Sequence, residues 1–231
     1  MTGVGGQGIQ LSAKTLAMAA VAEGRQAMLC GHYAGAIRGG QTDASVVVSD
    51  GRLRALPILP SAWAGFVMSP KHWEHTRPFV RPGGPVAVNS SLAHDIDTEG
   101  LQPLDVPATD MADELGSPMG ASMVLLGAFC AWTGLVGIDA LVGAMTALIP
   151  SYRREHVEAN GAALRAGWTV VGGVSVPAWE AAGAGWTGAP PVPARARAPG
   201  AAWAEAIPIS VPRSRDMAWV ERRGPCVAEV S

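Results

Sequence analysis

The sequence predicts an α/β protein: three layers around a mostly parallel central sheet, followed by an irregular C-terminal arm. Three observations predict this. A glycine loop, Gly3–Gly8, opens onto residues at helical spacing. Short apolar, β-branched runs then alternate with helical segments, as when crossovers pack on a parallel sheet. After Val176 the periodicity stops and Pro, Ala and Gly take over. These observations set the division, residues 1–176 as the α/β domain and 177–231 as the arm.

Taken in order, Ile9, Ala13, Leu16, Ala20 and Val21 recur on one helical face, and Glu23-Gly24 closes that run. Only two residues precede Gly3, too few for a central first strand. Two accounts of this stand: a true start upstream of Met1, which intact mass would reveal, or loss of the strand. Ala27 to Cys30 is a short strand, Gly31 to Thr42 a glycine-rich loop, and Ala44 to Ser49 a β-branched strand ending at the Asp50-Gly51 turn. Ala64–Met68 and Pro85–Val88 are two more strands. Between them Ser69 caps a short helix from Pro70 to Arg77, with proline at its first position. Thr109 caps a helix that runs to Leu115 and stops at Gly116. Helices then cover Met119–Trp132, Ile138–Leu148 and Arg153–Ala166, with Gly167 as the last C-cap and Arg154, Arg165, Glu155 and Glu158 on a solvated face.

Composition excludes several classes. The chain has 231 residues, 48% hydrophobic and 16% charged, enough apolar material for a packed core. The net charge is −2 and no basic stripe appears, so nucleic acid is not an expected partner. Ser117 to Ile138 carries no charge and is long enough for a membrane span. Four glycines dilute it, however, and Trp132-Thr133-Gly134 reads as a helix stop, so two buried helices joined by a turn are expected and no membrane span. Cys30, Cys130 and Cys226 lie far apart with no CxxC pair, which leaves no cysteine set for an iron–sulfur or zinc site and fits inert thiols in a reducing cytoplasm. His72 and His75 fall on one helix face but lack a third ligand, so no metal site is expected. The arm holds Trp179, Trp186, Trp203 and Trp219, four of the eight tryptophans. Large aromatics anchor interfaces, and the arm is read as draping over a partner.

Two motifs could carry chemistry. Gly3-x-Gly5-x-x-Gly8 matches the dinucleotide fingerprint, in which glycines allow a tight turn and close approach of a phosphate to a helix N-terminus. Yet the second strand ends Cys30-Gly31-His32, without the carboxylate that would hold a ribose. The loop therefore reads as serving fold and interface. Arg38-Gly39-Gly40 places an arginine fork beside two flexible glycines, suited to a phosphate, a carboxylate or a partner contact. No Ser/His/Asp arrangement, Walker loop or acid–base pair stands out, and no catalytic residue is assigned.

In order, these pieces resemble the gamma subunit of the 2-oxoacid:ferredoxin (acceptor) oxidoreductase family. The resemblance rests on GVGGQG at Gly3–Gly8 running into IQLSAKTLAMAA, and on Arg38-Gly39-Gly40 followed by ASVVVS. It continues through Val106-Pro107-Ala108-Thr109 with the acidic helix Ala112 to Gly116, and Met123 to Gly127 ending in Thr133-Gly134-Leu135. Asn160, Ala163, Leu164 and Gly167 complete it, so that it covers about three quarters of the chain. It implies a Rossmann-like accessory domain in a cytoplasmic heteromeric complex. Partner alpha and beta subunits, with a ferredoxin-like delta subunit where one is present, would hold thiamine diphosphate, Mg2+ and 4Fe-4S clusters. The complex would decarboxylate a 2-oxo acid oxidatively, form an acyl-CoA and reduce ferredoxin or a related acceptor. This chain would bind no cofactor alone, and Gly5, Gly6, Gln7, Gly8, Arg38, Gly39 and Gly40 would face a partner or CoA. The sequence departs from the family pattern at Ala36 (often Glu), at Ala62-Trp63 (where an Asp is common), at Ser122 (often Asn) and in the tryptophan-bearing arm. Two alternatives from other classes are a free-standing nucleotide-binding oxidoreductase and a non-enzymatic interaction module.

Overall fold

The computed structural model describes residues 1–33, 39–53 and 60–179, all within one compact unit. Six strands lie in one sheet in the order β2-β3-β1-β4-β5-β6: β1 (Thr2–Val4), β2 (Gln26–Tyr33), β3 (Gln41–Ser49), β4 (Gly65–Val67), β5 (Pro85–Asn89) and β6 (Gln102–Val106). β1, β4, β5 and β6 pair in parallel. β3 runs antiparallel to both β1 and β2, so it alone opposes the other five. Alternation along the central strands builds two cores. Phe66, Met68 and Ala87 point into the larger one, beneath α1 (Ile9–Ala22) and α5 (Ala121–Thr133). Val67, Val86 and Val88 point into a smaller one closed by Trp73 and Val80. Two cores on opposite faces make three layers, as the sequence predicts.

The short connections between strands also fold. Ser69 accepts a hydrogen bond from the Lys71 amide, as a cap should. The single helix expected over Pro70–Arg77 is instead a 3-10 turn (Pro70–His72), a one-turn helix α2 (Trp73–Thr76) and a second 3-10 turn (Arg77–Phe79). Pro78 interrupts any longer ladder, and His72 and His75 fall in different elements. α3 (Ser90–Ala93) follows β5, and α4 (Ala108–Glu114) follows β6.

The structure corrects four further expectations. The first strand is present: three residues suffice for β1 because β3 and β4 flank it on both sides. β6 is an additional strand that the sequence pattern hides, because Gln102, Pro103 and Asp105 are exposed and break the apolar run. An edge strand tolerates such residues, proline included. Thr109 does not cap α4; Pro107 holds that position and Thr109 lies within the helix. Gly167 is no C-cap, because α7 (Glu155–Val170) continues past it.

Gly167 has another role. α5 is buried at every position, and α7 crosses it at Gly127 and Gly167. A Cβ on Gly127 would lie 3.0 Å from the Leu164 carbonyl carbon, and one on Gly167 would lie 2.7 Å from that of Val124. Each glycine lets the other helix's backbone approach. Gly134 ends α5 in the left-handed region, φ 62°, and α6 (Ile138–Leu148) has the boundaries the sequence predicts. The uncharged stretch is thus two helices, and no helix among the described residues is long and apolar enough to cross a membrane.

The chain after α7 folds back. The Ser175 and Val176 amides donate to the Trp132 carbonyl and the Ala178 amide to that of Thr133, capping α5. Trp179 donates from Nε1 to the Leu135 carbonyl at 3.1 Å, and the Arg25 guanidinium stacks 4.1 Å from its ring centroid. The first of the arm's four tryptophans therefore packs on this domain. Trp186, Trp203 and Trp219 lie outside the described residues.

Candidate functional site

In open parallel sheets, ligands and partners meet the crevice at the carboxyl ends of the strands. Here that crest is built from the turn between β1 and α1, the Gly39-Gly40 turn before β3, Met68-Ser69 after β4, Asn89 after β5 and Thr109 on α4.

Gly6 (φ 101°) and Gly8 (φ 78°) adopt the left-handed backbone that lets the chain reverse from β1 into α1. Gly3 is closely packed, since a Cβ there would meet Gln7 Oε1 at 2.8 Å and Ile9 at 2.9 Å. The Gly5 amide donates to the Gly40 carbonyl at 2.8 Å, joining two glycine turns that stand well apart in the sequence. Gly5 and Gly6 are exposed at the tip. Gln7 turns inward instead. Its Oε1 accepts from the Val4 amide at 2.9 Å and its Nε2 donates to the Met68 carbonyl at 3.4 Å, bridging the ends of β1 and β4. Arg38 lies outside the described residues.

Asn89, fully buried, is a crest residue that the sequence does not reveal. Its Nδ2 donates to Thr109 Oγ1 at 2.9 Å and its Oδ1 accepts from the Thr109 amide at 3.2 Å. Ser91 Oγ accepts from the Asp110 amide. Residues at the end of β5 thus satisfy the free amides of α4, which has no side-chain cap of its own. No local pattern announces such a contact between separate elements.

The sheet order bears on the dinucleotide fingerprint. β3 stands between β1 and β2, so the end of β2 lies two strand spacings from the glycine loop, roughly 9–10 Å. A ribose-binding group there would be displaced even if it were acidic. A carboxylate does sit beside β1, Asp43 on β3. It accepts from Thr2 Oγ1 at 2.7 Å and from Gln41 Nε2 at 2.6 Å, and so holds β1 to β3. Away from the crest, burial pushes the Cys130 thiol far up, whereas Cys30 is half-exposed on β2. Among the described residues, no three His, Cys, Asp or Glu side chains converge on a point that could hold a metal ion.

The crest therefore presents exposed glycine backbone at Gly5 and Gly6, tied to the Gly40 turn, with the Gln7, Asn89 and Thr109 side chains bonded to neighbouring elements. In form this is an α/β domain built on one six-stranded sheet. The comparisons with known proteins agree. The family model for pyruvate ferredoxin/flavodoxin oxidoreductase matches residues 1–170, and the chain belongs to that family. Ketoisovalerate oxidoreductase subunit VorA of Methanothermobacter marburgensis is 31% identical over 139 residues, 60% of this chain but 29% of VorA. The chain thus spans under a third of that relative's length. 2-Oxoglutarate synthase subunit KorC of Methanocaldococcus jannaschii is 27% identical over 67% of this chain and 84% of its own. The crystal structure of the keto/oxoacid ferredoxin oxidoreductase gamma subunit from Geobacter sulfurreducens superposes with a TM-score of 0.62 at 27% identity, covering 73% of this chain and 94% of that one.

Proposed function

We propose that the chain is the gamma-type accessory subunit of a 2-oxoacid:ferredoxin oxidoreductase complex in the cytoplasm. The observation that carries this reading is the near-complete coverage of a separate gamma subunit by the folded domain. In this assignment, alpha and beta partner subunits hold thiamine diphosphate, Mg2+ and the 4Fe-4S clusters, and the complex converts a 2-oxo acid and CoA to an acyl-CoA while reducing ferredoxin or a related acceptor. This chain supplies no catalytic group.

Its contribution is the crest. Gly5, Gly6, Gly39 and Gly40 offer backbone that a partner or the phosphates of CoA can approach closely, and Arg38 adds a guanidinium fork beside them. Gln7 and Gly8 shape the loop from within. The intervening β3 counts against a free-standing dinucleotide enzyme.

A native pull-down from the source organism, with subunit identification and assays for bound thiamine diphosphate and iron, tests the proposal. Recovery with thiamine- and cluster-bearing subunits is expected. Recovery of the chain alone, without either cofactor, would contradict it.

A further inference from the structure

One long stretch of the chain carries acidic residues without Lys or Arg. Between Pro82 and Tyr152 the sequence has no Lys or Arg but eight Asp and Glu. Several of these acids gather on and around α4. Asp110, Asp113 and Glu114 are exposed, and none joins an ion pair among the described residues.

The same surface also exposes two large apolar side chains. Met111, Leu115 and Met119 follow one another at four-residue spacing along α4 and the 3-10 turn Pro118–Gly120 beyond it. Leu115 is 45% exposed and Met119 is 75% exposed. Placing a leucine and a methionine in water beside carboxylates that form no ion pair among the described residues brings the described domain neither a packed core nor ion pairing. A methionine this accessible is an adaptable contact for an interface. The charge selects what can cover it. An acidic partner, a nucleic acid or a second copy of this face would be repelled, whereas a surface rimmed by Lys and Arg is attracted and correctly oriented.

We propose that Leu115 and Met119, flanked by Asp110, Asp113 and Glu114, form a docking surface for a partner subunit that presents an apolar socket rimmed by basic side chains. This rests on the accessory-subunit reading above and adds which face is used and the chemistry of the face it meets. The carboxylates steer and orient, and the apolar pair supplies the desolvated centre.

The test uses the full chain co-expressed with its complex, purified through a tag on a thiamine-binding subunit. Two variants separate docking from folding. In Asp113→Lys/Glu114→Lys, cations replace anions in the last turn of α4, where the helix dipole favours them, so the domain keeps its stability. In Met119→Glu an exposed side chain changes, and Met119→Leu serves as the conservative partner. Wild type and Met119→Leu should co-purify at full yield. Both charged variants should fall at least ten-fold in recovery at about 0.1 M NaCl while keeping the wild-type melting temperature, and wild-type association should weaken as salt rises. Wild-type recovery of both charged variants would overturn the proposed face and leave the accessory-subunit reading standing. Failure of the wild-type chain itself to co-purify would overturn both.

Discussion

Replacing Gly167 with alanine is the sharpest test of how the helical layer holds together. In an ordinary exposed helix this change stabilises by about 1 kcal/mol, because alanine loses less backbone freedom. Here the new Cβ would sit 2.7 Å from the Val124 carbonyl carbon and 3.0 Å from the Ala128 amide nitrogen, and closer still to the Val124 carbonyl oxygen. Ordinary carbon contacts need about 3.5–4.0 Å, so α7 would have to back away from α5 by roughly 1 Å. α5 is buried at all its positions and cannot yield without leaving the sheet, and Gly127 makes the reciprocal close approach. Overpacking of this kind costs about 1–3 kcal/mol, and the backbone clash puts this site at or above the top of that range. After the propensity gain, the net loss is about 2–3 kcal/mol. At about 2–4 °C per kcal/mol for a domain of this size, the melting temperature should fall by about 5–10 °C. Gly143→Ala is the control. It is exposed on α6, and a methyl added there would meet nothing within 4 Å, so the variant should hold or slightly raise the melting temperature. Differential scanning calorimetry of the two variants decides the matter. A Gly167→Ala protein as stable as wild type would refute the close crossing of α5 and α7.

Other consequences are narrower. Gln7→Ala removes the bridge from Val4 to Met68 and should cost about 1–2 kcal/mol in denaturant melts, with faster amide exchange at Val4; unchanged exchange would show that the glycine loop holds itself. Trp179→Ala loses a hydrogen bond and the Arg25 stack, so it should destabilise the domain by about 2 kcal/mol, and a fragment ending at 176 should melt below one ending at 179; equal melting would mean the segment is passive. Cys130 should resist alkylation until the protein unfolds, while Cys30 reacts in the native state, as peptide mass mapping after labelling would reveal; native labelling of Cys130 would contradict its burial. Arg38→Ala should reduce activity or assembly of the complex more than it lowers the melting temperature of the chain, and equal losses would make Arg38 a structural residue.

What is legible in the sequence is local. α6 carries its own periodicity and the α5 stop carries its own glycine, so both can be read directly. β1 has only three residues and exists because β3 and β4 bracket it, a fact no window of sequence contains. The placement of β3 between β1 and β2 is equally non-local, and it changes the meaning of the glycine fingerprint. Gly167 reads as a helix terminus because glycine near the end of a periodic run usually is one. Tertiary packing decides otherwise. At the candidate site, both glycine turns are visible as motifs, and the Gly5–Gly40 bond shows that they meet. Gln7 is visible as a residue but not as an inward brace. The Asn89–Thr109 link is invisible, since neither partner carries a signal of the other. Arg38 stays a sequence-based expectation.

The most direct test of the accessory-subunit assignment is 2-oxo acid- and CoA-dependent electron transfer by the partner subunits, measured with and without this chain. The expected result is no activity from this chain alone, little from the partners alone, and recovery on mixing in proportion to assembled complex. Partner activity indifferent to the chain, or turnover by the chain by itself, would contradict it.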